Sequence, residues 1–429
     1  MNLQTQGNIK NVNQFWKIVF TIAAITLTNH SISNRSKAFA FSLTSLSQKT
    51  GFEHESTDLI KATVYARSSS TYSHMALDGS NRANQDYANG LSDIWYIEEQ
   101  RFGADAIISG LIHNDQQAID AGFQMFDWGF TQQQNDGGFL PTQDPFHSTS
   151  MFLGSVAYSL LTLQESIIGE LYNDIIESYL PKLQLAGQWM IQEEVWTTGN
   201  NNNSPYTHRN YSVATTLGLT GKLTGDQTLI EYANQSIHEG LNKQLSNGVN
   251  PEKGGHDSSY QMAGALHAMR WLTHFSTDAL AAGVAEMINN SLIWEESMIL
   301  PSGAVSTEGN TRTNGTEITR LGKPKGINQR EIIHGFAYWS SITGDKHWET
   351  NAHNIARYYY PHDSLVMSNL DQLYLLDLQI STTNQDVPES SQMVGIILTG
   401  LIFFCSFSKQ ASEKKNIASH HSHKKYKIT

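Results

Sequence analysis

Hydrophobic positions recur at helical spacing through most of the middle of the chain. Residues 116–132, QQAIDAGFQMFDWGFTQ, place Ile119, Phe123, Phe126 and Phe130 three and four positions apart, which is one broad helix face. The same period predicts helices over 148–164, 171–195, 208–223, 226–243, 258–275, 278–293, 329–343 and 346–359. Alternation of period two, the mark of a half-buried strand, is scarce. The expected fold class is all-α.

A punctuation repeats within this pattern. LGLTGKLTGDQTLIEYANQSI (217–237) and FAYWSSITGDKHWETNAHNIA (336–356) share Thr-Gly-Asp between two helical stretches. Gly225 and Gly344 suit the left-handed position that ends a helix. Asp226 and Asp345 suit the N-cap of the next helix. Each unit is a helical hairpin of roughly 35–40 residues plus a variable loop, and about five to six such hairpins fit the chain. The loops at 135–147, 197–210, 246–260 and 301–330 are long and polar, and loops of that length in a compact domain are usually functional or disordered. If they alternate with the short Thr-Gly-Asp turns, they emerge on one rim. This predicts an incomplete (α/α) toroid over 101–380, with a polar, aromatic, glycine-rich cleft suited to a sugar polymer.

The ends break the pattern. FWKIVFTIAAITLT (15–28) is apolar, has lysines near its start, and is followed by Ala38-Phe39-Ala40. It reads as a signal peptide over 1–40, cut after Ala40; the alternative is an uncleaved N-terminal anchor. Residues 41–100 form a partly disordered lead-in, Ser/Thr-rich and weakly patterned as far as 80. At the other end, DVPESS (386–391) precedes the apolar MVGIILTGLIFFCSF (393–407) and a basic tail. That order resembles the PEP-CTERM sorting signal of exported bacterial proteins, with Ser390 where a second proline is usual. A plain membrane anchor over 386–429 is the alternative. Either reading places the middle of the chain outside the cytoplasm, in the periplasm, at the cell surface or beyond it.

Composition narrows the chemistry. A net charge of −12 over 429 residues argues against non-specific nucleic-acid binding, which needs a basic face. The single cysteine, Cys405, lies in the C-terminal apolar block, so the helical domain has neither disulfide nor thiol nucleophile. No metal-ligand spacing such as H-E-x-x-H occurs, and no metal or cofactor is expected.

Three loop-to-helix junctions carry ionisable groups. PYTHRNYS (205–212) holds Tyr206, His208, Arg209, Asn210 and Tyr211 in a first helical turn behind Thr207. GGHDSSYQ (254–261) holds His256 and Tyr260, with Asp257 or Ser258 as the cap, and His267 two turns on along the same face. The basic segment 311–336 carries Arg312, Arg320, Lys323, Lys325 and Arg330, then His334. Tyr, His, Asn and Arg together suit β-elimination on a uronate polymer. A neutralised carboxylate acidifies the neighbouring C5 proton, a His or Tyr takes it, and a Tyr hydroxyl protonates the leaving oxygen.

This arrangement resembles the α/α-toroid polysaccharide lyases, most nearly the alginate lyase type, in HRNYS (208–212) and SSYQMAGAL (258–266). Tyr260 follows His208 by 52 positions, a spacing similar to the family's. The resemblance implies Tyr260 as catalytic acid, Tyr260 or His208 as base, and Asn210 or Arg209 as carboxylate neutraliser. His256 joins the catalytic set by its proximity to Tyr260. Arg209, Tyr211, His147, Arg312, Arg320, Arg330 and His334 are the substrate-binding candidates. Two departures stand out: His208-Arg209-Asn210 replaces an adjacent Asn-His, and Lys253 and His256 stand where an arginine usually precedes the tyrosine. The expected partner is an acidic polysaccharide, alginate- or glucuronan-like. An inverting glycoside hydrolase using two of Asp136, Asp257 and Glu308 and a non-catalytic surface glycan-binding protein are the alternatives. Asp136 and Asp257 read better as a turn residue and a cap.

Overall fold

A computed structural model describes residues 49–139, 142, 144–315, 317–319 and 322–385. The expected signal peptide, the start of the lead-in, Arg320 and the sorting segment lie outside them. The described residues contain sixteen α-helices and no strand, only isolated bridges. None of these helices is long and apolar enough to cross a membrane. One compact unit ends at Leu370; the described part of a second, from Asp371, continues a helix that begins at Ser364.

Ten helices build the main unit as five pairs. In chain order, the first of each pair are α5 (Phe102–His113), α7 (Pro145–Gln164), α10 (Thr207–Thr224), α12 (Ser258–His274) and α14 (Gln329–Thr343). Their partners are α6 (Gln116–Thr131), α8 (Asn173–Met190), α11 (Gln227–Lys243), α13 (Ala281–Ser297) and α15 (Lys346–Tyr359). Each first member also packs against the next first member along the chain. These helices are buried on nearly all sides; α10 is buried from Asn210 through Gly221. Their partners bury one stripe, as α11 does with Leu229, Ala233, Ile237 and Gly240, and leave the rest to solvent.

Polar residues join the buried helices. Thr216 Oγ1 donates to Ser150 O at 2.7 Å, tying α10 to α7, and Thr215 Oγ1 donates to His267 O at 2.7 Å, tying α10 to α12. At Gly264 the backbones come close enough that a Cβ would lie 3.1 Å from His208 Cα.

The Thr-Gly-Asp turns form as expected. Gly225 and Gly344 are left-handed, and Asp226 and Asp345 accept from the first backbone N–H groups of α11 and α15. Asn114-Asp115 makes the equivalent junction between α5 and α6.

A second repeated turn begins the long loops. Gly79, Gly137, Gly248 and Gly303 have φ of 88, 100, 89 and 89°, and each lies against a backbone carbonyl of a following outer helix. Glutamine amides bridge three of these contacts: Gln244 Nε2 donates to Gly248 O at 3.2 Å and to Met287 O at 3.0 Å, and Gln133 and Gln100 repeat the bridge at Gly137 and Gly79. A Cβ at Gly248 would lie 2.3 Å from Asn290 O. Gly248→Ala is therefore expected to cost about 2–4 kcal/mol, combining left-handed strain with overpacking. Gly225→Ala meets nothing within 4 Å and should cost only about 1 kcal/mol. Urea denaturation of both variants checks this; equal losses would refute the docking argument.

Two sequence expectations change. The lead-in is ordered from Lys49 onward: α1 (Gly51–Glu55), α2 (Asp58–Thr63), α3 (Ser68–Thr71) and α4 (Gln85–Ala88) precede α5. α1 touches α7, α12 and α14, α2 packs on α14, and α3 on α5. Glu55 is fully buried, accepting from Tyr158 Oη at 2.7 Å, Arg270 at 3.1 Å and His334 Nε2 at 2.7 Å. Burial pushes this carboxyl up, but the charges of His334 and Arg270 outweigh it and hold it at about 2. The polar stretch at 197–203 is also no loop: α9 (Glu193–Asn203) runs through the asparagines, anchored by buried Trp196.

Candidate functional site

The start of α10 is held by a carboxylate from another loop. Its N-cap, Tyr206, makes no side-chain cap bond, and Thr207 instead donates to Pro251 O at 2.7 Å. Glu252 is fully buried and accepts from the His208 backbone N–H at 3.0 Å through Oε1. The same oxygen lies 2.8 Å from His208 Nδ1. A carboxylate accepts, so Nδ1 carries the proton and Nε2 presents its lone pair. Burial lowers the His208 pKa; Glu252 opposes this, and the charges of Arg312 and Arg209 add to it. His208 is thus a neutral imidazole in a fixed tautomer.

Tyr260 stands beside it, with ring centroids 4.7 Å apart. Asp257 caps α12 by accepting from the Tyr260 N–H, and also accepts from the backbones of Arg312 and Thr313 at 2.8 Å. That second role brings the basic loop across the tyrosine. The Arg312 guanidinium lies 3.4 Å from the Tyr260 ring centroid, a cation–π contact. It also donates to Glu252 Oε2 at 3.3 Å. Lys325 Nζ donates to the Tyr260 hydroxyl at 3.1 Å, leaving the phenol proton available to another acceptor.

Arg209 and Tyr206 flank this group. Arg209 stacks on Tyr206 at 4.4 Å and pairs with Asp144 at 3.1 Å. His147, in the first turn of α7, has a buried Nδ1 with no hydrogen-bond partner among the described residues. Desolvation holds its pKa well below the usual value, and the charges of Arg209, Arg101 and Arg312 add to the effect.

Of the expected site residues, Tyr260, His208, Arg209, His147 and Arg312 come together here. Others are engaged elsewhere. Asn210 donates to Glu239 at 3.2 Å and accepts from Lys243 at 2.8 Å, both on α11, because two positions along a helix turn it away from His208. Tyr211 is fully buried against Gly240. His256 packs on Trp294 and bonds Glu308 O at 3.0 Å. His334 belongs to the Glu55 network, and Arg330 pairs with Asp105 at 2.7 Å. Two of the three rival carboxylates, Asp136 and Asp257, serve a turn and a cap.

Glu252 was not foreseen. It sits in VNPEKGG without periodic pattern, and only the folded loop brings it to His208. Among the described residues, no group of three or more His, Cys, Asp or Glu is arranged to hold a metal ion. A separate cavity of about 390 Å³, lined by Leu161, Ile176, Leu180 and Lys222 among others, contains no His–Tyr pair. The chain matches no protein-family model, no curated protein and no solved structure.

Proposed function

We propose that this protein is an exported polysaccharide lyase that cleaves a uronic-acid-containing polymer, alginate- or glucuronan-like, by β-elimination. In this reading the five helix pairs form an incomplete (α/α) toroid, with the N-terminal helices between its first and last pairs. The observation that carries the proposal is the contact of a carboxylate-held neutral histidine with a tyrosine flanked by two cations.

His208 Nε2 takes the C5 proton. The C–H electron pair forms the C4–C5 double bond as the C4–O bond breaks. The Tyr260 hydroxyl protonates the departing oxygen. Charge building on the uronate carboxylate is met by Arg312 and Lys325, the part first assigned to Asn210 or Arg209. Preorganised cations of this kind lower a barrier most where water is excluded.

Hydrolysis by two carboxyl groups has less support. Glu252 is engaged by His208 and Arg312. Glu317 is held at about 2: partial burial raises it, but hydrogen bonds from Lys253 and Lys325 and the Arg312 charge prevail. Such a carboxylate is a poor general acid.

The test is incubation of the protein with uronate polymers while following ultraviolet absorbance of the unsaturated product. New reducing ends without that absorbance would indicate a hydrolase; neither product would indicate a binder. A pH profile adds a sign. His208 acts neutral and its pKa is lowered, so kcat/KM should hold through pH ~6.5, the ordinary histidine value, and fall only as pH drops through the lower folded value. An acid limb at or above the ordinary value would exclude His208 as the base.

A further inference from the structure

Among the described residues, three cations bind Glu317 at once. Arg312 Nε donates to its two oxygens at 3.1 and 3.2 Å, Lys325 Nζ donates to Oε2 at 2.7 Å, and Lys253 reaches Oε1. The Glu317 side chain is 17% exposed. Lys325 also holds the Tyr260 hydroxyl, so one ammonium joins this carboxylate to the candidate acid. Lys253 is one of two non-glycine residues with positive φ among the described residues, at 52°. That strain is sustained by its N–H bond to Pro205 O at 2.7 Å.

The surrounding charge exceeds what Glu317 can answer. Among the described residues, Arg312, Lys253 and Lys325 face Glu317 and Glu252, three cations against two carboxylates. The Glu317 backbone is fixed separately: its carbonyl accepts from Lys325 N at 2.8 Å, and its N–H donates to Arg312 O at 3.4 Å. Its side chain can leave the cations without disturbing those bonds. A fork of Arg with two ammonium groups is suited to a planar carboxylate.

We propose that Arg312, Lys325 and Lys253 form a carboxylate-binding site that the chain's own Glu317 fills, and that a carboxylate of an acidic sugar binds by displacing it. This rests on reading the Tyr260 region as a uronate site and adds a built-in competitor to it. The competitor weakens every uronate equally and leaves neutral sugars unaffected. It thereby sets the concentration at which an acidic polymer gains the site.

The test is calorimetric titration of a short uronate oligosaccharide into Tyr260→Phe, which turns it over about 10²–10⁴-fold more slowly, with and without Glu317→Gln. Glu317→Gln is expected to bind about tenfold tighter, or about 1.4 kcal/mol, with the gain shrinking at high salt. A neutral gluco-oligosaccharide should show no gain. Unchanged or weaker uronate binding would overturn the proposal and leave Glu317 as a loop clamp. If circular dichroism shows that Glu317→Gln does not fold, Glu317→Asp is titrated instead. Its shorter carboxylate cannot span all three cations, so a smaller gain of the same sign is expected, and no gain overturns the idea. The lyase reading fails separately: tighter uronate binding by Glu317→Gln, with no unsaturated product from the unsubstituted protein, would keep the carboxylate site and reject elimination.

Discussion

Replacing Tyr260 with Phe is expected to lower elimination about 10²–10⁴-fold, the usual contribution of a positioned proton donor, while leaving the fold intact. The substitution removes one hydroxyl. Among the described residues, that hydroxyl's hydrogen-bond partner is Lys325 Nζ, which keeps Glu317 as a second partner. The ring stays, so the contacts with His208 and Arg312 remain. Thermal unfolding should therefore match the parent within about 1 kcal/mol. The decisive measurement is the initial rate of ultraviolet absorbance on a uronate polymer. Full activity in Tyr260→Phe would remove the tyrosine from the chemistry.

Glu252→Gln should be damaging in two ways. The carboxylate is buried, fixes the His208 tautomer, holds the first turn of α10, and neutralises part of Arg312. An amide keeps the shape but loses the charge, and its NH₂ group can face Nδ1 and reverse the tautomer. Loss of the tautomer alone should cost about 10²–10⁴-fold in rate. Arg312 keeps Glu317 but loses the charged partner of its Nη1, which adds a stability loss of about 1–3 kcal/mol. Denaturant melts and the absorbance assay read the two losses separately. A variant with parental stability and rate would show that the histidine does not depend on this carboxylate.

The legible parts were those with a local physical signature. Apolar spacing located the helices, and Gly225-Asp226 and Gly344-Asp345 located their turns, because a left-handed C′ residue and a capping aspartate act within a few positions. The turn at Asp136-Gly137 was legible, but the docking of Gly79, Gly137, Gly248 and Gly303 on outer helices was not. Their glycines answer to a carbonyl on a distant helix, and nothing near them in sequence records it. The site divided the same way. His208 and Tyr260 were readable as first-turn residues behind polar loops. Asn210 was misplaced because a two-residue offset turns a side chain to the far side of a helix. Glu252 and Lys325 were not assigned, since a buried carboxylate and a pairing ammonium are recognised only through partners 44 and 65 positions away.

The buried Glu55 has a consequence for how the chain acquires its structure. Its partners Arg270 and His334 lie 215 and 279 positions later, and Arg67 waits for Asp363, 296 positions on. A growing chain presents this carboxylate long before anything can neutralise it. The native contacts of the first helices with α12 and α14 therefore need most of the chain to have been made. Contacts of such sequence separation slow folding and prolong the exposure of apolar surface. Substitutions at Glu55 should then act mostly on how much protein reaches the native state, and much less on the chemistry once it does.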